Sequence, residues 1–413
     1  MSKIKRGLKN FSYLTIGTII SQAIGFIGFI YLARYLGPEY YGIYVTIGAF
    51  AGLFKLLTFT GLKKVLIRKC SKDIENADEI LNKTIGLQSL FVFIAISSML
   101  VASLFTNYAT TTKLFIAIFS LKLFSNSFRG YVNTIYKFSE KMQYLAIFQI
   151  IRNVLFVGLS ILFLLLGYGL FTIVIISVGT SLLDFLLRFY RSRKIVKFDI
   201  FSKLDFDKSV IKPSIVFSAI GIVGRLHKRV DLVMISFLGT APQVAIYGVA
   251  YTLAREANIL KNLIGEAFFP IAVKTLHDGT IRKKFVMKYS LLFALSAFIL
   301  GIIGFFLAEP AVDFFFGDEY TESGNILRVL IFYMVAWFST LPFTEAVQAT
   351  GNERVVLIGK GIMASINIPL NVVLYSIYGL IGIAYSTLVV YTVGSLIINF
   401  YSYYLLKKQG YIK

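Results

Sequence analysis

The fold class is decided by the stretch Leu90–Phe105, which reads LFVFIAISSMLVASLF. Apolar side chains cover every face of a helix built from this stretch, whereas a strand of a membrane barrel would alternate apolar and polar residues. A helix that crosses the hydrocarbon of a bilayer needs about 20 mostly apolar residues. The stretch therefore predicts a transmembrane helix.

The composition of the whole chain agrees with a protein that lipid solvates. Of its 413 residues, 57% are hydrophobic and 15% are charged, against about 25% charged in a typical soluble domain. These values exclude an ordinary soluble enzyme and a disordered chain. With Cys70 as the only cysteine and two histidines, no intramolecular disulfide can form, and we expect no metal site and no cofactor.

Apolar blocks of similar length recur from one end of the chain to the other. They predict an all-α polytopic membrane protein with twelve transmembrane helices. The predicted spans are 11–33, 40–58, 84–105, 114–135, 145–166, 170–190, 213–238, 244–264, 287–308, 325–348, 355–377 and 379–405.

The net charge of +21 comes from basic residues that concentrate in alternate loops. They lie at the N-terminus, after spans 2, 6 and 8, and at the C-terminus. Because basic loops stay on the cytoplasmic side, both termini are predicted to be cytoplasmic, in the cell membrane. The charge is thus a topology signal and an attraction to anionic membrane lipid rather than a sign of nucleic-acid binding.

The two halves of the chain resemble each other. LGPEYYGIY at Leu36–Tyr44 corresponds to LGTAPQVAIY at Leu238–Tyr247, and YGLFTI at Tyr168 corresponds to YGLIGI at Tyr378. The matches keep their order, which favours a parallel internal repeat over chance. We therefore expect two six-helix lobes, 1–200 and 201–413.

Four segments carry a resemblance to a known family. They are YLARYLGPEYYGIY at 31–44, RVDLVMISFLGTAPQVAIYGVA at 229–250, FFFGDEYTESGNILRVL at 314–330 and NIPLNVVLYSIYGLIGIAYST at 367–387. They are similar to segments of the polysaccharide-export flippases, in the superfamily of multidrug, oligosaccharidyl-lipid and polysaccharide transporters. The resemblance implies a transporter that flips lipid-linked oligosaccharide, of the polyprenyl-phosphate type, to the external leaflet by alternating access. It also implies a monomer that works beside the glycosyltransferases or the polymerase of a glycan-assembly system.

Span 7 carries charges that a lipid-facing helix would not tolerate. Arg225, Lys228, Arg229 and Asp231 lie near its centre, where each costs about 2.5–3.5 kcal/mol to insert. Arg225 and Arg229 share one helix face, and Asp231 is expected to pair with Lys228 or with His227. We predict that these residues bind the substrate, with the guanidinium groups meeting its phosphate.

Span 8 adds Arg255, Glu256 and Lys261. Arg255 and Glu256 are neighbours in sequence and are expected to point about 100° apart on the helix without neutralising each other. They complete the predicted substrate site, a cationic cavity between the lobes. The alternative is that all these charges pair internally and only orient helices. That alternative carries at least equal weight for Arg152, Asp184 and Glu345, which also lie within predicted spans.

Two other transporters fit the same pattern of helices. A multidrug antiporter would prefer an acidic cavity for cationic drugs, and the N-terminal half offers only Asp184 as a buried acid. A lipid II flippase is often built with fourteen spans, and this chain has room for twelve. A lipid-dependent glycosyltransferase is disfavoured because the first external loop supplies only Glu39 as a carboxylate.

Overall fold

The computed structural model describes residues 3–199, 204–256, 261, 264–265, 268, 283–352 and 354–411. Within these ranges, the side chains of residues 3–11, 220, 223–229 and 283–285 are not described. The described residues form helices joined by short turns, and none of them is in a β-strand. The α-helices in that part of the chain are α1 Lys3–Phe54, α2 Leu62–Cys70, α3 Ala77–Leu104, α4 Thr110–Phe138, α5 Met142–Leu165, α6 Leu170–Ser192, α7 Lys208–Leu238, α8 Ala241–Glu256, α9 Lys283–Phe316, α10 Thr321–Ser339, α11 Leu341–Ala349, α12 Arg354–Tyr378 and α13 Leu380–Lys408.

Helix α1 contains two predicted spans with a sharp kink between them. Gly37 adopts φ 66° and ψ 172° inside the helix, a backbone conformation that glycine reaches without a Cβ clash. Pro38 follows and supplies no backbone N–H. The predicted break between 11–33 and 40–58 is therefore confirmed at Gly37–Pro38.

Eight helical segments of the described chain are long and apolar enough to cross a membrane. Helices α4, α7 and α8, which match the predicted spans 114–135, 213–238 and 244–264, are not among them. The all-α, multi-pass class is confirmed, and the arrangement of twelve spans in two lobes stays a prediction. Large side chains on these helices lie open, with Phe93, Leu104 and Phe306 each 69% exposed, as expected where the solvent is hydrocarbon.

Span 10 is not the single helix that we predicted. It divides into α10 and α11 at Thr340, whose backbone is the joint between the two helices. Pro342 lies in the first turn of α11, where its missing N–H cannot continue the hydrogen bonding of α10. The Ser290 hydroxyl donates to the carbonyl of Ser339 at 2.8 Å, which satisfies one of the freed acceptors.

The chain divides into two compact units, Met1–Ile222 and Val223–Lys413. We call them unit 1 and unit 2. The division falls inside α7, whereas the sequence repeat suggested 200/201, and the repeat itself stays a prediction.

The core of unit 1 is built largely from α2, α3 and α4, around buried Leu66, Leu81, Tyr131 and Ile135. Close approach of the chain is required at Gly61, where a Cβ would come within 2.1 Å of the Ser214 carbonyl oxygen.

Candidate functional site

A row of polar contacts joins α4 to α6 inside unit 1. The polar residues on α4 are Lys122, Asn126, Arg129 and Asn133. Those on α6 are Ser177, Ser181, Asp184 and Arg188. Each set follows the spacing i, i+4, i+7, i+11, which places its members along one face of a helix. Each contact joins a residue of α4 to the residue of α6 that lies 55 positions later in the sequence. Because this separation is constant, the two helices run parallel. We call these eight residues the polar seam.

Asp184 is the electrostatic centre of the seam. Its carboxylate, only 2% exposed, accepts a hydrogen bond from Arg188 Nε at 2.7 Å and another from Arg129 Nη1 at 3.0 Å. Arg188 also donates to Asn133 Oδ1 at 2.9 Å, and its guanidinium lies over the Phe148 ring. One buried carboxylate therefore holds two guanidinium groups, each by a charge-assisted hydrogen bond.

Lys122 occupies the seam near the middle of α4. Its ammonium donates to the Ser177 hydroxyl, which also exchanges a hydrogen bond with the Tyr44 hydroxyl at 3.2 Å. The Lys122 Nζ lies 4.5 Å from the centroid of the Phe119 ring and 5.8 Å from that of Phe156. Its described contacts are hydroxyl and aromatic groups rather than carboxylates.

Arg152 adds a further cation from α5. Its guanidinium donates to Asn153 Oδ1 at 2.9 Å, and it forms no ion pair within the described part of the chain. Together with Lys122, Arg129 and Arg188 it sets four cations against the single carboxylate of the seam. Lys122, Arg129 and Arg152 remain partly exposed, whereas Arg188 is buried. The region can therefore receive an anion.

The seam was missed at the sequence level, where Asp184 and Arg152 had no assigned partners. A usable signal is present in α4, whose stretch Lys122–Asn133 repeats polar residues with helical spacing inside an apolar helix. The structure brings Asp184 to Arg129 and Arg188, two residues that the sequence reasoning did not consider.

The predicted site residues of span 7 fall partly outside the described residues. The side chains of Arg225, Lys228 and Arg229 are in the undescribed set, so their binding role stays a prediction. Asp231 is described and buried.

The expected pairing of Asp231 with Lys228 or His227 falls on side chains outside the described set and stays a prediction, and the described contacts of Asp231 are with other helices. Its carboxylate accepts hydrogen bonds from Asn371 Nδ2 at 2.8 Å, Thr387 Oγ1 at 2.8 Å and Tyr247 Oη at 3.0 Å. Asn371 also donates to Asn367 Oδ1 at 3.0 Å. Tyr247 lies on α8, the next helix along the chain, whereas Asn371 and Thr387 lie on α12 and α13, far from α7 in sequence. The sequence does not say which of these helices are neighbours, so the tertiary structure was needed to reveal the donors.

Arg255 and Glu256 at the end of α8 also differ from expectation. Arg255 Nη2 lies 3.1 Å from Glu256 Oε1, with the two side chains 47% and 34% exposed. The helix directs their Cα–Cβ bonds apart, but both side chains are long enough to bend toward each other. The expectation that they would not neutralise each other was therefore wrong, and their proposed contact with substrate is untested.

Lys261 lies at the joint between α10 and α11. Its ammonium donates to the Trp337 carbonyl at 2.5 Å and to Thr340 Oγ1 at 2.8 Å, and it lies 3.5 Å from the centroid of the Trp337 ring. The bond to the Trp337 carbonyl satisfies an acceptor in the last turn of α10, where intrahelical donors run out. Lys261 thus stabilises the broken helix. Glu345, on α11, is partly buried.

The described residues contain no cluster of three or more histidine, cysteine, aspartate or glutamate side chains that could hold a metal ion.

The fold is that of a known group of membrane transporters. A solved structure of lipid II flippase MurJ in an inward closed conformation matches with a TM-score of 0.73 at 18% identity, over 94% of this chain and 87% of that one. An inward-facing MATE family multidrug resistance transporter of the MOP superfamily matches with a TM-score of 0.78 at 14% identity, over 97% and 98% of the two chains.

Sequence comparison places the chain within that group. The family model for polysaccharide biosynthesis proteins matches residues 7–276, and the chain belongs to this family. The proposed O-antigen transporter of Shigella flexneri is 26% identical over 94% of each chain. The protein is therefore a multi-pass membrane transporter rather than an enzyme, and the resemblance to polysaccharide-export flippases is confirmed.

Proposed function

We propose that the protein flips lipid-linked oligosaccharide of the polyprenyl-phosphate type from the cytoplasmic to the external leaflet by alternating access. We further propose that the protein lies in the cell membrane, crosses it with twelve spans and has both termini on the cytoplasmic side. The observation that carries it is the surplus of basic side chains in unit 1. Among the described residues, Lys122, Arg129, Arg152 and Arg188 gather around one carboxylate, that of Asp184.

A phosphate that enters hydrocarbon alone loses its hydration, at a cost of tens of kcal/mol in the Born limit. Guanidinium and ammonium groups replace that hydration with charge-assisted hydrogen bonds. Lys122, Arg129 and Arg152 are partly exposed and are the cations of unit 1 that we assign to this task. Hydroxyl and amide groups in the same seam, such as Ser177 and Asn126, are suited to sugar hydroxyls.

The proposed substrate site also includes the charged residues predicted from spans 7 and 8, which are Arg225, Lys228, Arg229, Asp231, Arg255 and Glu256. The family membership supports a glycan precursor, because a transporter in polysaccharide biosynthesis has such a precursor to move. A monomer that receives its substrate from glycosyltransferases, or delivers it to a polymerase, fits the same proposal.

Transport can be measured with purified protein in vesicles that contain a fluorescent oligosaccharide linked to polyprenyl pyrophosphate. A membrane-impermeant glycosidase reports the glycan that reaches the outer leaflet. Wild-type protein should expose the inner pool, and Arg152→Gln should slow exposure by about tenfold or more, because a hydrogen bond to a charged group is worth about 1.5–3 kcal/mol.

Lys137→Gln is the matched control, because Lys137 is an exposed cation in the last turn of α4. It should leave the rate unchanged. Equal rates for wild-type and empty vesicles would contradict the proposal. Drug export is the rival activity, and uptake of a cationic dye by the same vesicles, without movement of the glycolipid, would favour a multidrug antiporter.

A further inference from the structure

An apolar groove lies on the surface of unit 2 between α12 and α13. Its volume is about 460 Å³, and almost all of its lining surface is hydrocarbon. Helix α12 contributes Val355, Ile358 and Ile362, and α13 contributes Leu396, Phe400 and Tyr401. Several of these side chains are open, from 43% at Tyr401 to 74% at Phe400.

Two glycines allow the helices to meet closely beneath the groove. A Cβ on Gly359 would lie 2.5 Å from Ile398 Cγ1, and a Cβ on Gly394 would lie 2.3 Å from Met363 Cγ. The floor of the groove is therefore a tight helix–helix contact of the kind that small residues permit in membranes. The groove is a fixed feature of the packing rather than a gap between loose helices.

The position of the groove determines what can occupy it. Both α12 and α13 are long and apolar enough to cross a membrane, so an open apolar surface between them faces the acyl region of the bilayer. A hydrocarbon chain fits a lining without polar groups.

One end of the groove carries positive charge. Arg354 lies one turn before Ile358 on the same face of α12 and is exposed. On α13, Lys408 lies two turns after Phe400 on the same face, and Lys407 and Lys408 are both exposed. Basic pockets between transmembrane helices bind anionic lipid headgroups.

We propose that this groove is a binding site for an anionic phospholipid of the leaflet where α12 begins and α13 ends. One acyl chain lies between α12 and α13, and the headgroup phosphate binds Arg354, Lys407 and Lys408. The site lies within unit 2 and requires neither the polar seam nor the transported substrate.

The test uses the full-length protein in nanodiscs with phosphatidylcholine in excess over phosphatidylglycerol. A trace of phosphatidylglycerol or phosphatidylcholine with a photoreactive group in its acyl chain is crosslinked, and labelled peptides are mapped. The phosphatidylglycerol probe should label the α12 and α13 peptides several times more than the phosphatidylcholine probe. Replacing Arg354, Lys407 and Lys408 by glutamine should lower this labelling by about fivefold for each lost charge.

Two further variants separate the groove from ordinary bilayer contact. Ile358→Trp fills the groove and should abolish groove labelling, whereas Val373→Trp, at an exposed position of α12 outside the groove, should not. The exposed cations Arg68 and Lys72, replaced together by glutamine, serve as the charge control and should leave labelling unchanged.

Equal labelling by the two probes, insensitive to the charge variants, would overturn the proposal. Preferential labelling by a polyprenyl phosphate probe would also overturn it, because the occupant would then be a carrier lipid. Neither result depends on the transport assay, so the failure of this site and the failure of the proposed function can be told apart.

Discussion

Each unit buries one carboxylate that accepts several hydrogen bonds, but the donors differ in kind. In unit 1, Asp184 is held by the guanidinium groups of Arg129 and Arg188. In unit 2, the described donors to Asp231 are the neutral groups of Asn371, Thr387 and Tyr247. Guanidinium groups cannot accept a hydrogen bond, and their buried charge is left uncompensated when the carboxylate is removed, whereas hydroxyl donors are neutral and can also accept. The two sites should therefore respond differently to the loss of charge.

The largest expected effect is at Asp184. Asp184→Ala leaves two guanidinium groups without their carboxylate, and breaking a buried ion pair in this way costs about 3–5 kcal/mol. Unfolding in detergent can be followed by alkylation of Cys70, which is buried. Cys70 lies on the cytoplasmic side of the predicted topology, and burial raises the pKa of its thiol to about 11. The thiol therefore reacts slowly until unit 1 unfolds. An unchanged unfolding midpoint would show that the ion pairs add nothing to stability.

Asp231→Ala should have a smaller effect, of about 1.5–3 kcal/mol, the usual value of hydrogen bonds to a charged group. Asparagine sharpens the comparison. Asp231→Asn should be tolerated better than Asp184→Asn, because Thr387 and Tyr247 can reverse their hydroxyl groups to accept from the amide. Thermal unfolding of the two asparagine variants measures the difference. Greater damage from Asp231→Asn would contradict the neutral character of that site.

The smallest effect is expected at an exposed carboxylate, Asp207, in the segment that leads into α7. The hydroxyl and the backbone amide of Ser209 donate to it, and Lys69 lies 3.6 Å away, so the pKa of this carboxyl is lowered. A lowered pKa stabilises the folded form above the unfolded pKa of about 3.9, and the gain is lost as the pH falls through the folded pKa. An exposed pair is worth at most about 1 kcal/mol.

Hydrogen exchange of the Ser209 amide, followed against pH, measures this contribution. Protection should fall below about pH 4 in the wild type, and Asp207→Asn should remove the pH dependence. Asp205→Asn is the matched control, because Asp205 is exposed two residues away. An Asp207→Asn profile that still follows the wild type would assign the titration to another group.

Much of the helical architecture could be predicted from residues that act locally. The kink at Gly37–Pro38 follows from a glycine and a proline, and the ends of most spans follow from where apolar residues stop. The break at Thr340 was not predicted, although Pro342 marks it, because the apolar pattern continues through the joint. A hydropathy pattern indicates which segments lie in the hydrocarbon of the bilayer. It does not indicate where a carbonyl group loses its hydrogen bond within a helix.

The sequence predicted only part of the candidate site. The charges of span 7 were conspicuous because their cost of insertion is large, yet the described partners of Asp231 lie on three other helices. Arg129 and Arg188 were overlooked because the sequence does not say which helices are neighbours. Arg255 and Glu256 were misjudged because helical geometry sets the direction of the Cβ atom and not the path of a long side chain.

The sequence by itself determined that this chain is an all-α membrane protein, because the transfer of apolar side chains into lipid depends on composition and length alone. It also carried the family resemblance, through short motifs. Only the tertiary structure decided which charges meet, that α4 and α6 run parallel in register, and that one buried carboxylate is held by cations and the other by neutral donors. Those outcomes depend on contacts between residues far apart in the chain, and such contacts exist only after the helices have packed.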